Sequence, residues 1–243
     1  MRIIRTTDYD DMSRKAANVI SAQVILKPTS VLGLATGTTP LGAYRQLARW
    51  CERGDVDFSQ VSTYNLDEYR GLSHEDVQSY HHFMRVNFFD HVNIDLANTH
   101  VPDGSNPNVR AACAAYDHMV AAAGYPDLQL LGIGRNGHIG FNEPDSVFSK
   151  GTHLVNLTES TIKANSRLFD SPDDVPRQAY TMGVQAIMYA RGVLVIASGR
   201  DKAKAVRGMC LGPVDPQCPA SILQLNTNCV VIADEAALSL CPQ

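Results

Sequence analysis

The chain is 243 residues long, 44% hydrophobic and 19% charged, with a formal net charge of -4. That profile fits a soluble globular protein with a substantial core and excludes a disordered chain. The acidic balance argues against a general nucleic-acid binder, yet leaves room for a local positive pocket around a small anion.

The N-terminus, Met1-Arg2-Ile3-Ile4-Arg5-Thr6, has charges inside its short apolar patch and does not read as a signal peptide. No run approaches the roughly 18 apolar residues that a membrane span needs, so a cytoplasmic protein without membrane contact is expected. The cysteines (Cys51, Cys113, Cys210, Cys218, Cys229 and Cys241) contain no CxxC pair. Metal-ligand spacing is therefore absent and reduced thiols are expected.

The first apolar run, Val31–Leu34, reads as a buried strand. It leads into Gly33-Leu34-Ala35-Thr36-Gly37-Thr38-Thr39-Pro40-Leu41-Gly42, with Pro40 at a first helical position and Thr39 as its cap. Backbone N–H groups, hydroxyls and a helix dipole make such a turn a phosphate cradle. It lacks the Gly-Lys-Ser/Thr ending of a P-loop, and taken alone it reads first as a capped helix. Leu41, Tyr44, Leu47, Ala48 and Cys51 share one helical face. The next strand, Val61–Leu66, ends in Asn65-Leu66-Asp67-Glu68-Tyr69. Successive carboxylates on an extended segment point to opposite sides, so at most one of Asp67 and Glu68 faces a pocket.

A second helical stripe (Val109, Ala112, Cys113, Tyr116, Met119, Val120 and Ala123) stops at Gly124 and Pro126. The strand Leu128–Ile133 then enters Gly132-Ile133-Gly134-Arg135-Asn136-Gly137-His138-Ile139-Gly140-Phe141-Asn142-Glu143-Pro144. Gly132-x-Gly134-x-x-Gly137 matches a dinucleotide fingerprint formally, but Gly140 and Pro144 oppose the helix that the fingerprint requires. His138 and Glu143 stand instead as a proton-handling pair, with Asn136 placed to orient the imidazole. Residues 144–182 are irregular and read equally as a mobile cover or a surface excursion; they carry the cation Arg167. Beyond the strand Val193–Ala197, Lys202 falls in the first turn of a helix, where a cation opposes the dipole unless an anion binds. Val230–Ala233 is the last strand. Alternating strands and helices imply one α/β domain over 1–243, with a mostly parallel sheet covered on both faces and ligands beyond the strands' carboxyl ends.

The segments Gly33 to Gly42, Tyr64 to Gly71, Gly132 to Pro144, Asn165 to Phe169 and Gly199 to Lys202, in this order and spacing, closely resemble the glucosamine-6-phosphate deaminase (isomerase) family over nearly the whole chain. The resemblance implies an open, modified Rossmann-like α/β sandwich. It also implies conversion of glucosamine 6-phosphate and water to fructose 6-phosphate and ammonia, in amino-sugar catabolism, with no cofactor and no metal. In its terms Asp67 is the base that moves a proton between C2 and C1. His138 opens the sugar ring, supported by Glu143 and Asn136. Gly37, Thr38, Thr39, Arg167 and Lys202 hold the phosphate, and the stretch after Pro144 is the lid.

Two departures stand out. Position 136 is Asn where many members carry Asp, which points to activity with an altered pH dependence. The longer allosteric members have basic residues where this chain has Gly151-Thr152-His153-Leu154-Val155, so activation by N-acetylglucosamine 6-phosphate is not expected and oligomerisation stays open. The rival readings are a 6-phosphogluconolactonase-like hydrolase and a non-catalytic sugar-phosphate sensor.

Overall fold

Val193–Ala197 is apolar at every position because both of its faces are covered. Val193, Val195 and Ala197 point into one hydrophobic layer, Leu194 and Ile196 into the other, the period-two alternation of an extended chain. The structure, a computed structural model, describes residues 1–159, 162, 171 and 175–242. Its strands are β1 (Arg2–Thr6), β2 (Val31–Leu34), β3 (Ser62–Asn65), β4 (Asp67–Tyr69), β5 (Thr99–His100), β6 (Leu128–Leu131), β7 (His153–Asn156), β8 (Gln178–Thr181), β9 (Val193–Ala197) and β10 (Cys229–Asp234). Its helices are α1 (Tyr9–Leu26), α2 (Leu41–Glu52), α3 (Tyr80–Asn87), α4 (Val109–Ala122), α5 (Val184–Tyr189) and α6 (Ala203–Leu211).

Seven strands form one parallel sheet in the order β1-β10-β9-β6-β2-β3-β5. Met12, Ala16 and Ile20 of α1, with Ala43, Tyr44 and Leu47 of α2, cover one face. Tyr116 and Val120 of α4, Ile187 of α5, and Val206 and Met209 of α6 cover the other. The parallel, doubly covered sheet expected from the sequence is therefore the fold observed. From β2 the chain first moves outward through β3 to β5, then returns to β6 and proceeds to β9 and β10 on the opposite side. The order reverses between β2 and β6, and in open α/β sheets that reversal opens a crevice at the strands' carboxyl ends.

A second sheet, antiparallel and ordered β4-β8-β7, is attached where the first one ends. The single strand expected over Val61–Leu66 is divided there. Leu66 N donates to Leu34 O (3.2 Å) in the large sheet, while Leu66 O accepts from Met182 N (2.7 Å) next to β8. Asp67 thus starts a new strand just past the large sheet's edge.

The sequence reading placed no element before Val31, yet β1 and α1 fill that stretch. Asp8 caps α1 by accepting from Asp11 N at 2.8 Å. Its buried stripe mixes Met12, Ile20 and Val24 with small residues, Ser13, Ala16, Ala17 and Ser21, which conceals the apolar period. The small residues allow close packing: a Cβ on Gly42 of α2 would meet Ser13 Oγ at 2.2 Å. On α4, Met119 is 40% exposed rather than buried, because it lies at the margin of the stripe that Tyr116 and Val120 centre.

Candidate active site

Asp67 and Glu68 divide as successive strand residues must. Glu68 turns to α3, where its carboxylate accepts from Tyr80 N and His81 N (both 2.9 Å) and from Tyr69 N (2.8 Å). It fastens β4 to a helix N-terminus, a structural task. Asp67 turns the other way, 5% exposed. The register Leu34↔Asn65 between β2 and β3, continued by two residues, sets Thr36 opposite Asp67, and the Thr36 hydroxyl bonds the carboxylate. Burial, and after it the charge of Glu68, raises Asp67 from 3.8 to about 8, against the downward pull of Thr36. An aspartate so raised is a stronger base than an ordinary carboxylate. Thr36 was within the predicted loop, but no role was read for it; only the register reveals one.

The loop after β6 is shaped by its glycines. Gly134 N donates to His138 O (2.9 Å), closing a tight turn. A Cβ on Gly134 would lie 2.4 Å from atoms of the His138 imidazole, so only glycine lets the ring lie against the backbone there. Gly140 has φ +58, and its Cβ would sit 2.9 Å from Thr181 Oγ1 and 3.5 Å from Asp67 Oδ2. The histidine loop is thereby pressed against the buried aspartate, although the two are distant in sequence. Phe141 N donates to Thr181 Oγ1 (3.0 Å), and Asn142 Nδ2 donates to Ile139 O and Met182 O (2.8 and 2.9 Å), locking the loop to the end of β8.

His138 Nδ1 lies 3.1 Å from Glu143 Oε1, close but not aligned as a hydrogen bond. A carboxylate at Nδ1 favours the proton there and leaves Nε2 as the acceptor. Asn136 does not orient the ring as the sequence suggested. Its Nδ2 donates to Glu143 Oε2 (2.5 Å) and its Oδ1 accepts from His138 N (3.2 Å), so it fixes Glu143 and the turn, and Glu143 addresses the imidazole. No helix opens at this loop, in keeping with the rejected dinucleotide reading.

The turn after β2 exposes Gly37 and Thr38 and half-buries Thr39. The Tyr9 hydroxyl donates to Thr38 O (3.0 Å) and accepts from Gly42 N (2.9 Å), which holds the turn open. Thr39 is not the helix cap: α2 begins at Leu41 with Pro40 as the cap residue and no side-chain cap. The helix N-terminus is left for another acceptor. After β9, Lys202 is likewise not in the first turn of α6. It ends a short 3-10 turn (Arg200–Lys202) and occupies the cap position of α6, again without a side-chain cap. Burial foremost, with the Arg135 charge adding to it, lowers the Lys202 ammonium, while Asp201 raises it. Arg135 of the glycine loop pairs with Asp201 at 2.7 Å.

Because β9, β6 and β2 are neighbours in that order and parallel, the turns carrying Lys202, His138 and Gly37 to Thr39 share one edge at the sheet's reversal. Arg167 lies outside the described residues, as do 160–161, 163–166, 168–170 and 172–174 of the expected cover. The stretch read as irregular contains β7 and β8, and Leu157, Ile162 and Val175 within it pack with Tyr69 and Phe141, which ties it to the strand that starts at Asp67. A cavity of about 300 Å³ is lined among others by Asn142, Glu143, Phe148 and His153; Asp67 and His138 do not line it. Among the described residues no three His, Cys, Asp or Glu side chains are grouped to hold a metal, and no helix is long and apolar enough to cross a membrane.

The chain matches the family of glucosamine-6-phosphate isomerases and 6-phosphogluconolactonases over residues 8–232. It is 56% identical to a glucosamine-6-phosphate deaminase of Lachnoclostridium phytofermentans, over 96% of this chain and 98% of that protein. A second deaminase, from Halothermothrix orenii, is 53% identical over 99% of this chain and all of its own length (100%). Among solved structures, one described as a monomeric glucosamine-6-phosphate deaminase superposes with a TM-score of 0.95 at 43% identity, covering 99% of this chain and 100% of its own. A 6-phosphogluconolactonase from Thermotoga maritima reaches a TM-score of 0.75 at 20% identity, over 96% and 99% of the two chains, a likeness of fold alone.

Proposed function

The chain belongs to the family of glucosamine-6-phosphate isomerases and 6-phosphogluconolactonases, and from that premise we propose how its site carries out the deaminase reaction. The enzyme converts glucosamine 6-phosphate and water to fructose 6-phosphate and ammonia, an aldose–ketose isomerisation with loss of the amine. The observation that supports the assignment of residues is the close approach of the histidine loop to Asp67, whose Oδ2 would lie 3.5 Å from a Cβ on Gly140.

His138, with Glu143 at Nδ1, takes the proton of the C1 hydroxyl at Nε2 and passes it to the ring oxygen, which opens the pyranose to an aldehyde at C1. Asp67 then takes the C2 proton, giving an enolamine across C1 and C2, and returns it to C1. The double bond moves to C2–N as an iminium. Water adds at C2, ammonia leaves and the ketone remains. The substrate's own ammonium, next to Asp67, favours the ionised carboxylate at the moment it must act as base. Gly37, Thr38 and Thr39 at the N-terminus of α2, together with Lys202 and Arg167, hold the phosphate. Anchored remotely, the phosphate orients C1 and C2 against Asp67. The whole of 1–243 serves this site as one domain.

Two measurements test this reading. The purified protein is expected to release ammonia and fructose 6-phosphate from glucosamine 6-phosphate in equal amounts and to leave 6-phosphogluconolactone untouched; lactone hydrolysis without ammonia would overturn it. Thr36→Val, which removes the hydroxyl that favours ionised Asp67, is expected to lower kcat/KM near neutrality about tenfold, the worth of one hydrogen bond to a charged group. The acid limb of the pH profile moves to higher pH, and Thr36→Ser restores it. An unmoved limb would remove Thr36 from the tuning of Asp67.

A further inference from the structure

We propose that Arg135 is a further phosphate-binding residue, held at rest by Asp201 and released to the substrate's phosphate beside Lys202. The inference rests on the phosphate site described above and adds to it a cation from the turn that also carries His138. Its basis is position. The sheet order β9-β6-β2 sets the turn bearing Arg135 between the turn with Lys202 and the turn with Gly37 to Thr39, so a phosphate held by the outer two lies beside the middle one. The backbone of the middle turn is fixed by the Gly134 N to His138 O bond and by the packing of the imidazole on Gly134. Arg135 therefore projects from a rigid base although its side chain is 79% exposed.

The charges agree. Arg135 and Lys202 are close enough to act on one another, with Asp201 interacting with both. Two cations against one carboxylate leave a positive excess that a dianion would neutralise. Asp201 is itself 44% exposed, and an exposed pair of this kind contributes only about 0–1 kcal/mol. A guanidinium making paired contacts to a phosphate has more to gain, so exchange of Asp201 for the substrate is favourable. The exchange also couples occupancy of the phosphate site to the turn that positions the ring-opening histidine.

The test is steady-state kinetics with glucosamine 6-phosphate, together with competitive inhibition by inorganic phosphate, on four variants of the full chain. Arg135→Gln is expected to raise both KM and the phosphate inhibition constant about tenfold, with kcat within about twofold of the parent, the pattern of lost phosphate binding. Arg135→Lys recovers part of the loss. Arg200→Gln, which removes an exposed charge from the neighbouring turn, leaves both constants unchanged. Lys202→Gln raises both. Unchanged constants in Arg135→Gln beside a clear effect of Lys202→Gln would overturn the inference and leave the phosphate site standing. No effect from either would overturn the phosphate site itself. An Arg200→Gln effect as large as that of Arg135→Gln would reduce Arg135 to a share of the general surface charge, and would also overturn it.

Discussion

Asp67→Asn is expected to abolish turnover, by about a thousandfold or more as expected for removal of an essential proton-transfer group, and to melt at a higher temperature than the parent. Both effects have one source. The Asp67 carboxyl is raised from 3.8 to about 8 by burial and by its neighbour Glu68, so the folded protein binds that proton more tightly than the unfolded chain does. Its favourable contribution is complete below about pH 4 and is lost as the pH rises through about 8, where the folded protein must carry a desolvated charge. Asn keeps the shape and still accepts from Thr36, and it never ionises. The stabilisation of the variant over the parent therefore opens above pH 4 and is largest above 8, reaching a few kcal/mol at most. Melting curves of the two proteins at pH 5 and pH 9 check this: a gap that does not widen toward pH 9 would contradict it. In the parent, kcat/KM should rise through about pH 8 as Asp67 becomes a base in the free enzyme, and a flat profile there would show that another group takes the C2 proton. The site is thus bought with stability, as buried catalytic charges commonly are.

What the sequence disclosed depended on whether a signal was local. Val193–Ala197 is legible as a strand because burial on both faces makes every residue apolar. The glycine loop is legible because His138 and Glu143 are close in sequence as well as in space. β7 and β8 were not read, since His153–Asn156 and Gln178–Thr181 are half polar and have no marked alternation. α1 was hidden by the small residues that let it approach α2. The break at Leu66 could not be foreseen either, because it is made by β8, whose strand lies far along the chain. Thr36 and Arg135 fall within segments that drew notice, yet their roles come from registers and strand order that only the assembled sheet defines. Asn136 shows the limit most clearly. Its nearness to His138 in sequence suggested contact with the imidazole, whereas its amide grips Glu143.

His138→Gln separates the two halves of the mechanism. Loss of the ring-opening group is expected to lower kcat by about 10²–10⁴, the range of a general acid–base contribution, and equally in the direction that forms glucosamine 6-phosphate, since ring closure is the same step reversed. Proton transfer at carbon should survive. Fructose 6-phosphate opens to its ketone in solution without help, ammonia converts the ketone to the C2 iminium, and exchange of the C1 hydrogen with heavy water then needs only a base against C1. With Asp67 buried beneath Gly140 and held by Thr36, that base does not depend on the imidazole for its position. Nuclear magnetic resonance of fructose 6-phosphate with ammonium in heavy water should therefore show C1 exchange with the parent and with His138→Gln, but none with Asp67→Asn. Loss of exchange in both variants would mean that His138 also handles the carbon-bound proton, and the division of labour between the loop and the strand would be wrong. Exchange retained in His138→Gln alone assigns the ring to His138 and the carbon to Asp67, two tasks on two segments that meet at one glycine.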